Sequence, residues 1–254
     1  MKSALITGAN KGIGLATAKA LGHLGYKLWI GARSHERGRA AQAELVWEGF
    51  EAEFVQLDVN DEATIRAAGE TIAAASPSLD ILINNAGITA EGTGTPFEAI
   101  PPSRVPVATL RRIYDTNFFG AVAVTQAMLP LLRRAPAARI VNVSSALGSF
   151  GLTTDENWPC RSLLALGYKS SKAALNMATV LFAQELKDTP IKVNAANPGL
   201  IATDLSGARA EDLAGRPGYG TTDEGARIIV RLATLPAEGP SGGFFDWEMG
   251  TVPW

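Results

Sequence analysis

The stretch ALITGANKGIGLATAKALG, residues 4–22, joins a short apolar run to a helical pattern through a turn that holds three glycines. Glycine loses more conformational freedom on folding than any other residue, so three of them in one turn indicate that the backbone there must stay bare. A strand that passes through such a turn into a helix forms a cradle for phosphate, because the helix N-terminus offers unpaired N–H groups and a partial positive charge. The stretch therefore predicts a phosphate-binding βα unit.

The glycines follow the pattern T-G-x-x-x-G-x-G, over Thr7, Gly8, Gly12 and Gly14. This pattern is not the common dinucleotide fingerprint G-x-G-x-x-G, because Thr17 stands where that fingerprint requires its third glycine. On these residues alone, an ordinary tight turn between strand and helix remains an alternative. The rest of the chain must decide between the two interpretations.

Short β-rich runs alternate with segments of helical periodicity along the whole chain. Strands are predicted in SALIT, YKLWIG, EAEFVQLD, DILINNAG, ARIVNVSS, IKVNAANPG and GGFFD. Helices are predicted at about 12–25, 36–48, 61–75, 108–134, 165–187 and 222–234, with a proline-rich loop at 95–106. This alternation predicts βαβ crossovers and an α/β fold, a parallel sheet with helices on both faces. No break in composition marks a linker, so residues 1–254 are expected to form a single domain.

Composition excludes several classes of function. The chain has 254 residues, 46% of them hydrophobic, and a net charge of −2, so no basic field attracts nucleic acid. The single cysteine, Cys160, fits a reducing compartment. We expect a cytoplasmic protein, because the N-terminal apolar run is too short for a signal peptide and no run is long enough for a membrane span. No metal site is expected, since the two histidines are isolated.

Polar residues and glycines close the predicted strands, where ligands bind in open parallel sheets. These strand ends are LDV at 57–59, which contains Asp58, NNAG at 84–87, NVSS at 142–145 and NPG at 197–199. Downstream, Tyr168 and Lys172 stand four residues apart in YKSSK. On a helix this spacing places both side chains on one face, about 6 Å apart along the axis.

In their order and over essentially the whole chain, TGANKGIG, NNAG, Asn117, NVSS, YKSSK and NPG resemble the short-chain dehydrogenase/reductase family. The segments IGARS and LDV and the ending GGFFDWEMGTVPW are similar to its NADPH-dependent carbonyl reductases. The resemblance implies a doubly wound Rossmann domain with a seven-stranded, mostly parallel sheet in the order 3-2-1-4-5-6-7. It also implies hydride transfer between NADPH and a ketone or aldehyde, or the reverse oxidation of a secondary alcohol.

Carbonyl reduction needs a proton donor at the carbonyl oxygen, and Tyr168 is the candidate general acid. The ammonium of Lys172 is expected to lower the pKa of Tyr168, and the resemblance implies that it also holds the nicotinamide ribose. Alternation along the strand points Ser144 and Ser145 in opposite directions, and the resemblance implies that the second of them, Ser145, orients the carbonyl. By resemblance, Asn117 anchors a water that relays protons through Lys172; a helix kink is the alternative role.

The cofactor is predicted from the end of the second strand. Ala32 stands where NAD-specific enzymes carry an acid, and Arg33 follows it. Together with Lys11, Arg33 is expected to bind the 2′-phosphate of NADP(H). Asp58 and Val59 resemble the family's adenine contacts. The complete set of cofactor-binding candidates is Gly8, Asn10, Lys11, Gly12, Ile13, Gly14, Arg33, Asp58, Val59, Asn85, Ala86, Gly87, Tyr168, Lys172, Pro198, Gly199 and Thr203.

Ser145 and Tyr168 are 23 positions apart, more than in many members of the family. The extra residues form an insertion, 150–166, whose apolar side chains are expected to cover the substrate pocket and pack against a lid-like segment, 200–220. A subunit contact is the alternative, and monomer or homo-oligomer stays open. The partner is a small-molecule carbonyl or alcohol. An NADP(H)-sensing regulatory protein on the same fold is the alternative function, and a related lyase or epimerase activity is a third.

Overall fold

The computed structural model describes residues 1–89, 100–206, 209–247 and 250–254. Within these ranges seven strands form one sheet in the order β3-β2-β1-β4-β5-β6-β7. Every neighbouring pair of strands is parallel. The fold class and the strand order predicted from the sequence are therefore confirmed.

The strands overlap the predicted stretches, and most of the helix ends lie within two residues of prediction. The strands are β1 (Ser3–Thr7), β2 (Lys27–Ala32), β3 (Ala52–Gln56), β4 (Ile81–Asn84), β5 (Arg139–Val143), β6 (Lys192–Asn197) and β7 (Phe244–Asp246). The helices are α1 (Gly12–His23), α2 (His35–Trp47), α3 (Glu62–Ala75), α4 (Val107–Tyr114), α5 (Gly120–Leu132), α6 (Phe150–Thr154), α7 (Leu166–Glu185), α8 (Ala210–Leu213) and α9 (Thr222–Ala233).

The central strands are buried on both faces, which explains their nearly continuous apolar sequences. Adjacent residues of one strand face opposite ways: Leu5 joins the core beneath α3 and α5, whereas Ile6 joins the core beneath α1 and α9. Removing these side chains from water on both sides fixes the sheet between two helical layers. The carboxyl ends of β1, β4, β5 and β6 consequently meet along one edge.

The helix predicted at 108–134 is wrong in its interior. The structure has α4, then a π-helical turn at Asp115–Phe119, and then α5. A π-turn inserts one residue into the helical spacing and is typical of functional positions. Here it contains Asn117, whose amide is bonded to the backbone of Ile88. Helical periodicity does not report such a local insertion.

Among the described residues, no helix is both long enough and apolar enough to cross a membrane. The proline-rich loop predicted at 95–106 lies partly outside the described residues, because 90–99 are not among them.

Candidate active site

The glycine turn is fastened to the end of β4. Thr7 Oγ1 accepts hydrogen bonds from the backbone N–H groups of Asn85 and Ala86, each at 3.0 Å. In return, Asn85 Nδ2 donates to the carbonyl oxygens of Thr7 and Gly8 at 2.8 and 3.3 Å. Two strand ends that are distant in sequence are thereby locked together.

The turn has no space for side chains where it meets β4. Gly8 has a φ of +65°, and a Cβ added to Gly14 would lie 2.6 Å from both Asn85 Nδ2 and Gly8 O. Gly12 has a φ of +59° and leads directly into α1. No described side chain caps the N-terminus of α1, and its first turn holds no acid. The glycine turn leaves its backbone uncovered, and the first N–H groups of α1 have no side-chain cap, so a pyrophosphate fits there. The residues present therefore fit a dinucleotide.

The cations expected at the 2′-phosphate differ in their surroundings. Ala32 is buried at the end of β2, and Arg33 is exposed directly after it. Lys11 is instead paired with Asp204, with 2.5 Å between Nζ and Oδ2. This pair ties the glycine turn to the lid-like segment and leaves Lys11 with a carboxylate that a phosphate would have to replace.

The residues after β3 are held in a compact turn. Asp58 Oδ1 accepts from the backbone N–H of Asn60, and the backbone of Asp58 is bonded to the hydroxyl of Thr64. Val59 is buried against Gly120, where an added Cβ would lie 2.8 Å from the Val59 Cβ. Asp58 is half-buried, and its second carboxyl oxygen, Oδ2, takes no part in these bonds. The turn places Asp58 on the site edge and Val59 in the core.

Asn117 is buried between the loop after β4 and α7. Its Oδ1 accepts from the backbone N–H of Ile88 at 2.8 Å, and its Nδ2 donates to Ile88 O at 2.9 Å and to Ser171 Oγ at 3.0 Å. Gly87 lies beside it, since a Cβ there would be 3.4 Å from Asn117 Oδ1 and 3.6 Å from Lys172 Nζ. The π-turn thus connects the loop after β4 to α7.

The two serines after β5 point in opposite directions. Ser144 is buried, and its Oγ donates to Asn176 Oδ1 at 2.5 Å. Ser145 is half-buried, caps a short 3₁₀ turn at Ala146–Gly148 and is hydrogen-bonded to Tyr168. The structure therefore brings Ser145, not Ser144, to the tyrosine.

Tyr168 and Lys172 lie on α7 and are both buried. Burial raises the pKa of Tyr168 to about 12, while the hydrogen bond with Ser145 acts to lower it. Burial lowers the pKa of Lys172 to about 8. Lys172 Nζ donates to Val143 O at 2.7 Å and lies 5.7 Å from the centre of the Tyr168 ring. The net pKa of Tyr168 is therefore raised and not lowered as expected, because removal of the phenol from water is the largest effect on it.

The remaining candidates surround the same edge. Gly199 follows buried Pro198 with a φ of +86°, and a Cβ there would lie 3.7 Å from Trp247 Cδ1. Thr203 lies over the glycine turn, with its Cγ2 3.6 Å from a Cβ added at Gly12. Ile13 packs towards α9, so it serves the core as well as the turn. Asn10 is half-buried within the turn.

The insertion packs on the C-terminal residues. The N–H of Gly151 donates to Trp254 O, and Leu152 packs with Phe244 and Val252. The N-cap residue of α6, Ser149, donates through its hydroxyl to Pro253 O at 2.5 Å. The later part of the insertion is attached to α7 through Lys169, whose Nζ donates to Cys160 O at 3.2 Å and lies 5.2 Å from the centre of the Trp158 ring. In the described part of the chain, these bonds join the insertion to the C-terminus and to α7, and not to the lid-like segment 200–220.

Sequence reasoning missed several residues that hold the site together. Ser171, Asn176 and Asn197 do so through hydrogen bonds, and Trp247, which was also missed, lies beside Gly199. Asn197 Oδ1 accepts from the N–H of Ala146, which joins the end of β6 to the serine loop. Asn176 stands four residues after Lys172, so the i, i+4 rule that linked Tyr168 to Lys172 was a signal that also pointed to it.

A bare phosphate cradle and a buried tyrosine–lysine pair on the same sheet edge define a dinucleotide-dependent oxidoreductase. The sequence profile of the family described as short chain dehydrogenase matches residues 2–214. The chain belongs to this short-chain dehydrogenase family, as the resemblance in its motifs predicted.

Known relatives cover nearly the whole chain. A short-chain dehydrogenase of Penicillium roqueforti is 36% identical over 236 residues, which span 91% of this chain and 87% of that protein. Human carbonyl reductase [NADPH] 1 is 32% identical over 284 residues, spanning 95% of this chain and 94% of that protein. The NADPH-bound carbonyl reductase from chicken fatty liver superimposes with a TM-score of 0.84 at 29% identity, covering 100% of this chain and 99% of that chain.

Proposed function

We propose that the protein is a carbonyl reductase, which uses NADPH to reduce a ketone or aldehyde and oxidises a secondary alcohol in the reverse direction. The observation that carries this proposal is the hydrogen bond between Ser145 and Tyr168, with Lys172 one helical turn further along. The named activities of the human and chicken relatives support it. Residues 1–254 act together as one nucleotide-binding and catalytic domain.

The cofactor is NADP(H), which supplies a hydride from the nicotinamide when bound. The glycine turn and the N-terminus of α1 hold its pyrophosphate. Arg33 binds the 2′-phosphate, since buried Ala32 offers no carboxylate to repel it. Lys11 adds a second cation when Asp204 releases it. Asp58 contacts the adenine, and Asn85 and Thr7 hold the glycine turn in place through their hydrogen bonds.

Ser145 and Tyr168 act on the carbonyl oxygen. The hydroxyl of Ser145 donates a hydrogen bond that holds this oxygen and stabilises the negative charge that develops there. Tyr168 Oη–H then delivers its proton to the same oxygen as the carbonyl carbon receives hydride. The phenolate that remains takes a proton from solvent before the next turnover. In alcohol oxidation the same phenolate accepts the hydroxyl proton.

Lys172 supplies positive charge beneath the reacting group. With a pKa of about 8, it is mostly protonated at neutral pH. Its ammonium lies 5.7 Å from the centre of the Tyr168 ring and favours the phenolate that forms on proton transfer. Its bond to Val143 O fixes the ammonium against β5. Asn117 keeps Ile88 and Ser171 in place around Lys172, and we propose that it anchors a proton-relay water with its remaining acceptor capacity.

A panel of ketones, aldehydes and quinones assayed with NADPH tests this function. We expect consumption of NADPH together with formation of the alcohol. A protein that binds NADPH tightly but reduces no carbonyl in the panel would instead be the sensing protein, for which a Ser–Tyr–Lys arrangement has no use.

A further inference from the structure

Asn176 occupies the third position on the catalytic face of α7. Tyr168, Lys172 and Asn176 follow one another at four-residue intervals, so their side chains lie along one stripe of the helix. Asn176 is 3% exposed, which is unusual for an amide unless hydrogen bonds hold it in place. No catalytic role in the proposed mechanism accounts for it.

The amide of Asn176 makes two hydrogen bonds, and they flank Ser145 in the chain. On one side, Ser144 Oγ donates to Asn176 Oδ1 at 2.5 Å. On the other side, Asn176 Nδ2 donates to Gly148 O at 3.4 Å. The loop that carries Ser145 is therefore tied to α7 immediately before the serine and three residues after it.

Close packing leaves this loop little freedom to move. A Cβ added at Gly148 would lie 2.7 Å from Lys172 Cβ and 2.8 Å from the Lys172 carbonyl carbon. Lys172 Nζ holds Val143 O, one residue before Ser144. The strand end and the loop from 143 to 148 thus rest directly on α7, and the Asn176 amide supplies the directional bonds of this contact.

We propose that Asn176 is a positioning residue, which sets Ser145 at hydrogen-bonding distance from Tyr168 by fixing Ser144 and Gly148. The inference deepens the proposed function and depends on it for its kinetic consequences. Asn176 does not touch the reacting atoms. Its effect passes through the loop, and small displacements of a positioned group from its productive geometry cost large factors in rate.

A matched control lies one turn further along α7. Thr179 is fully buried and accepts a hydrogen bond from Asn142 Nδ2 at 2.8 Å. It is a contact of the same kind between α7 and β5, but it reaches the interior of the strand and not the loop with Ser145. If burial of a polar bond were all that mattered, changes at Asn176 and Thr179 would have the same consequences.

Three variants separate positioning from stability: Asn176→Leu, Thr179→Val and the double change Asn176→Leu with Ser144→Ala. The first leaves the Ser144 hydroxyl and Gly148 O without the Asn176 amide, whereas the double change also removes the hydroxyl and so regains part of the stability. We measure urea unfolding, NADPH affinity by fluorescence, kcat at saturating NADPH, and the pH profile of alcohol oxidation for each.

We expect Asn176→Leu to lower kcat by about tenfold or more, with NADPH affinity changed less than about twofold. The pH profile of alcohol oxidation should move to higher pH, as in Ser145→Ala, because the bond from Ser145 acts to lower the pKa of Tyr168. The double variant should regain stability without regaining kcat. Thr179→Val should lose stability and keep both kcat and the profile.

Recovery of kcat in the double variant, or equal loss in Thr179→Val, would overturn the proposal. A crystal structure of Asn176→Leu gives a readout that needs no substrate: the hydrogen bond between Ser145 and Tyr168 should be lost. If the wild type reduces no carbonyl, the proposed function fails, and this structure alone still decides whether Asn176 positions Ser145. If the bond persists unchanged in the variant, the positioning role is wrong.

Discussion

Two regions along the same sheet edge are held by different forces. The catalytic cluster, which comprises Ser145, Tyr168 and Lys172, is fixed by buried hydrogen bonds between β5 and α7. The rim, which comprises residues 200–206, is fastened to Lys11 by an ion pair whose side chains are 55% and 44% exposed. The rim is also held by a bond from Thr89 Oγ1 to Leu205 O at 2.6 Å and by backbone bonds of Leu200 and Ala202 with Gly220.

Because of this difference, we expect the two regions to control different kinetic properties. Buried bonds without access to water keep a fixed geometry, which proton transfer requires. An exposed ion pair contributes little stability and is easily exchanged for another anion. We therefore expect changes in the cluster to act on kcat, and changes at the rim and the cofactor phosphate to act on affinity and on specificity.

The largest effect is expected at the centre of the cluster. Tyr168→Phe removes the proposed proton donor and keeps the ring, so kcat should fall by about a hundredfold to ten-thousandfold. NADPH binding, followed by fluorescence, should survive because the cradle is built from other strand ends. Retention of most of the turnover would show that another group donates the proton.

A second prediction concerns stability and pH. Lys172 has a pKa of about 8 in the folded protein, below its ordinary value of 10.5, so the unfolded chain binds the extra proton between these values. Unfolding free energy should therefore rise from pH 8 to pH 10 in the wild type relative to Lys172→Met, by at most about 3 kcal/mol. Urea unfolding across this range measures the difference, and parallel curves for the two proteins would contradict it.

At the cofactor phosphate, Arg33→Ala should raise KM for NADPH and leave NADH nearly unaffected. Loss of a charge-assisted contact costs roughly 1.5–3 kcal/mol, which corresponds to a factor of about ten to a hundred in kcat/KM. Arg39→Ala is a suitable control, because Arg39 is an exposed cation on α2 that contacts Gln42 and Phe54. Equal preference for the two cofactors in the wild type would remove the basis of this assignment.

The insertion should act on substrate choice. Replacing 155–162 by a few polar residues keeps the contacts of Gly151 and Leu152 with the C-terminus. We expect a several-fold change in the kcat/KM ratio of bulky and small ketones, with NADPH affinity preserved. A variant that keeps its substrate ranking and changes only its size on gel filtration would identify the insertion as a subunit contact.

The smallest effect is expected at the rim. Asp204→Asn frees Lys11 for the 2′-phosphate, so KM for NADPH should fall by no more than about fivefold, with NADH unchanged. Glu211→Gln is the matched control, since Glu211 also lies in the lid-like segment 200–220 but pairs with Arg209. A higher KM for NADPH in Asp204→Asn would show that Asp204 supports cofactor binding.

Much of this arrangement was predictable because it is local in sequence. The strand order followed from the family motifs, and the Tyr168–Lys172 face followed from helical spacing. The Lys11–Asp204 pair spans 193 residues, and the hydrogen bonds of Asn176 reach 32 and 28 residues back. Helical spacing places Asn176 on the face of Tyr168 and Lys172, but it does not show partners that are so distant in sequence. The direction of the Tyr168 pKa shift was missed because burial of the phenol depends on tertiary packing.

Transfer of deuterium from NADPH that carries deuterium at both hydrogen positions of the nicotinamide C4 tests the central claim most directly. The product of a reduced ketone is analysed by mass spectrometry, with Tyr168→Phe as the comparison. The account predicts one deuterium on the carbinol carbon of the alcohol for each NADPH consumed, and far slower labelling with the variant. NADPH binding without labelled alcohol from any ketone, or equally fast labelling with Tyr168→Phe, would contradict it.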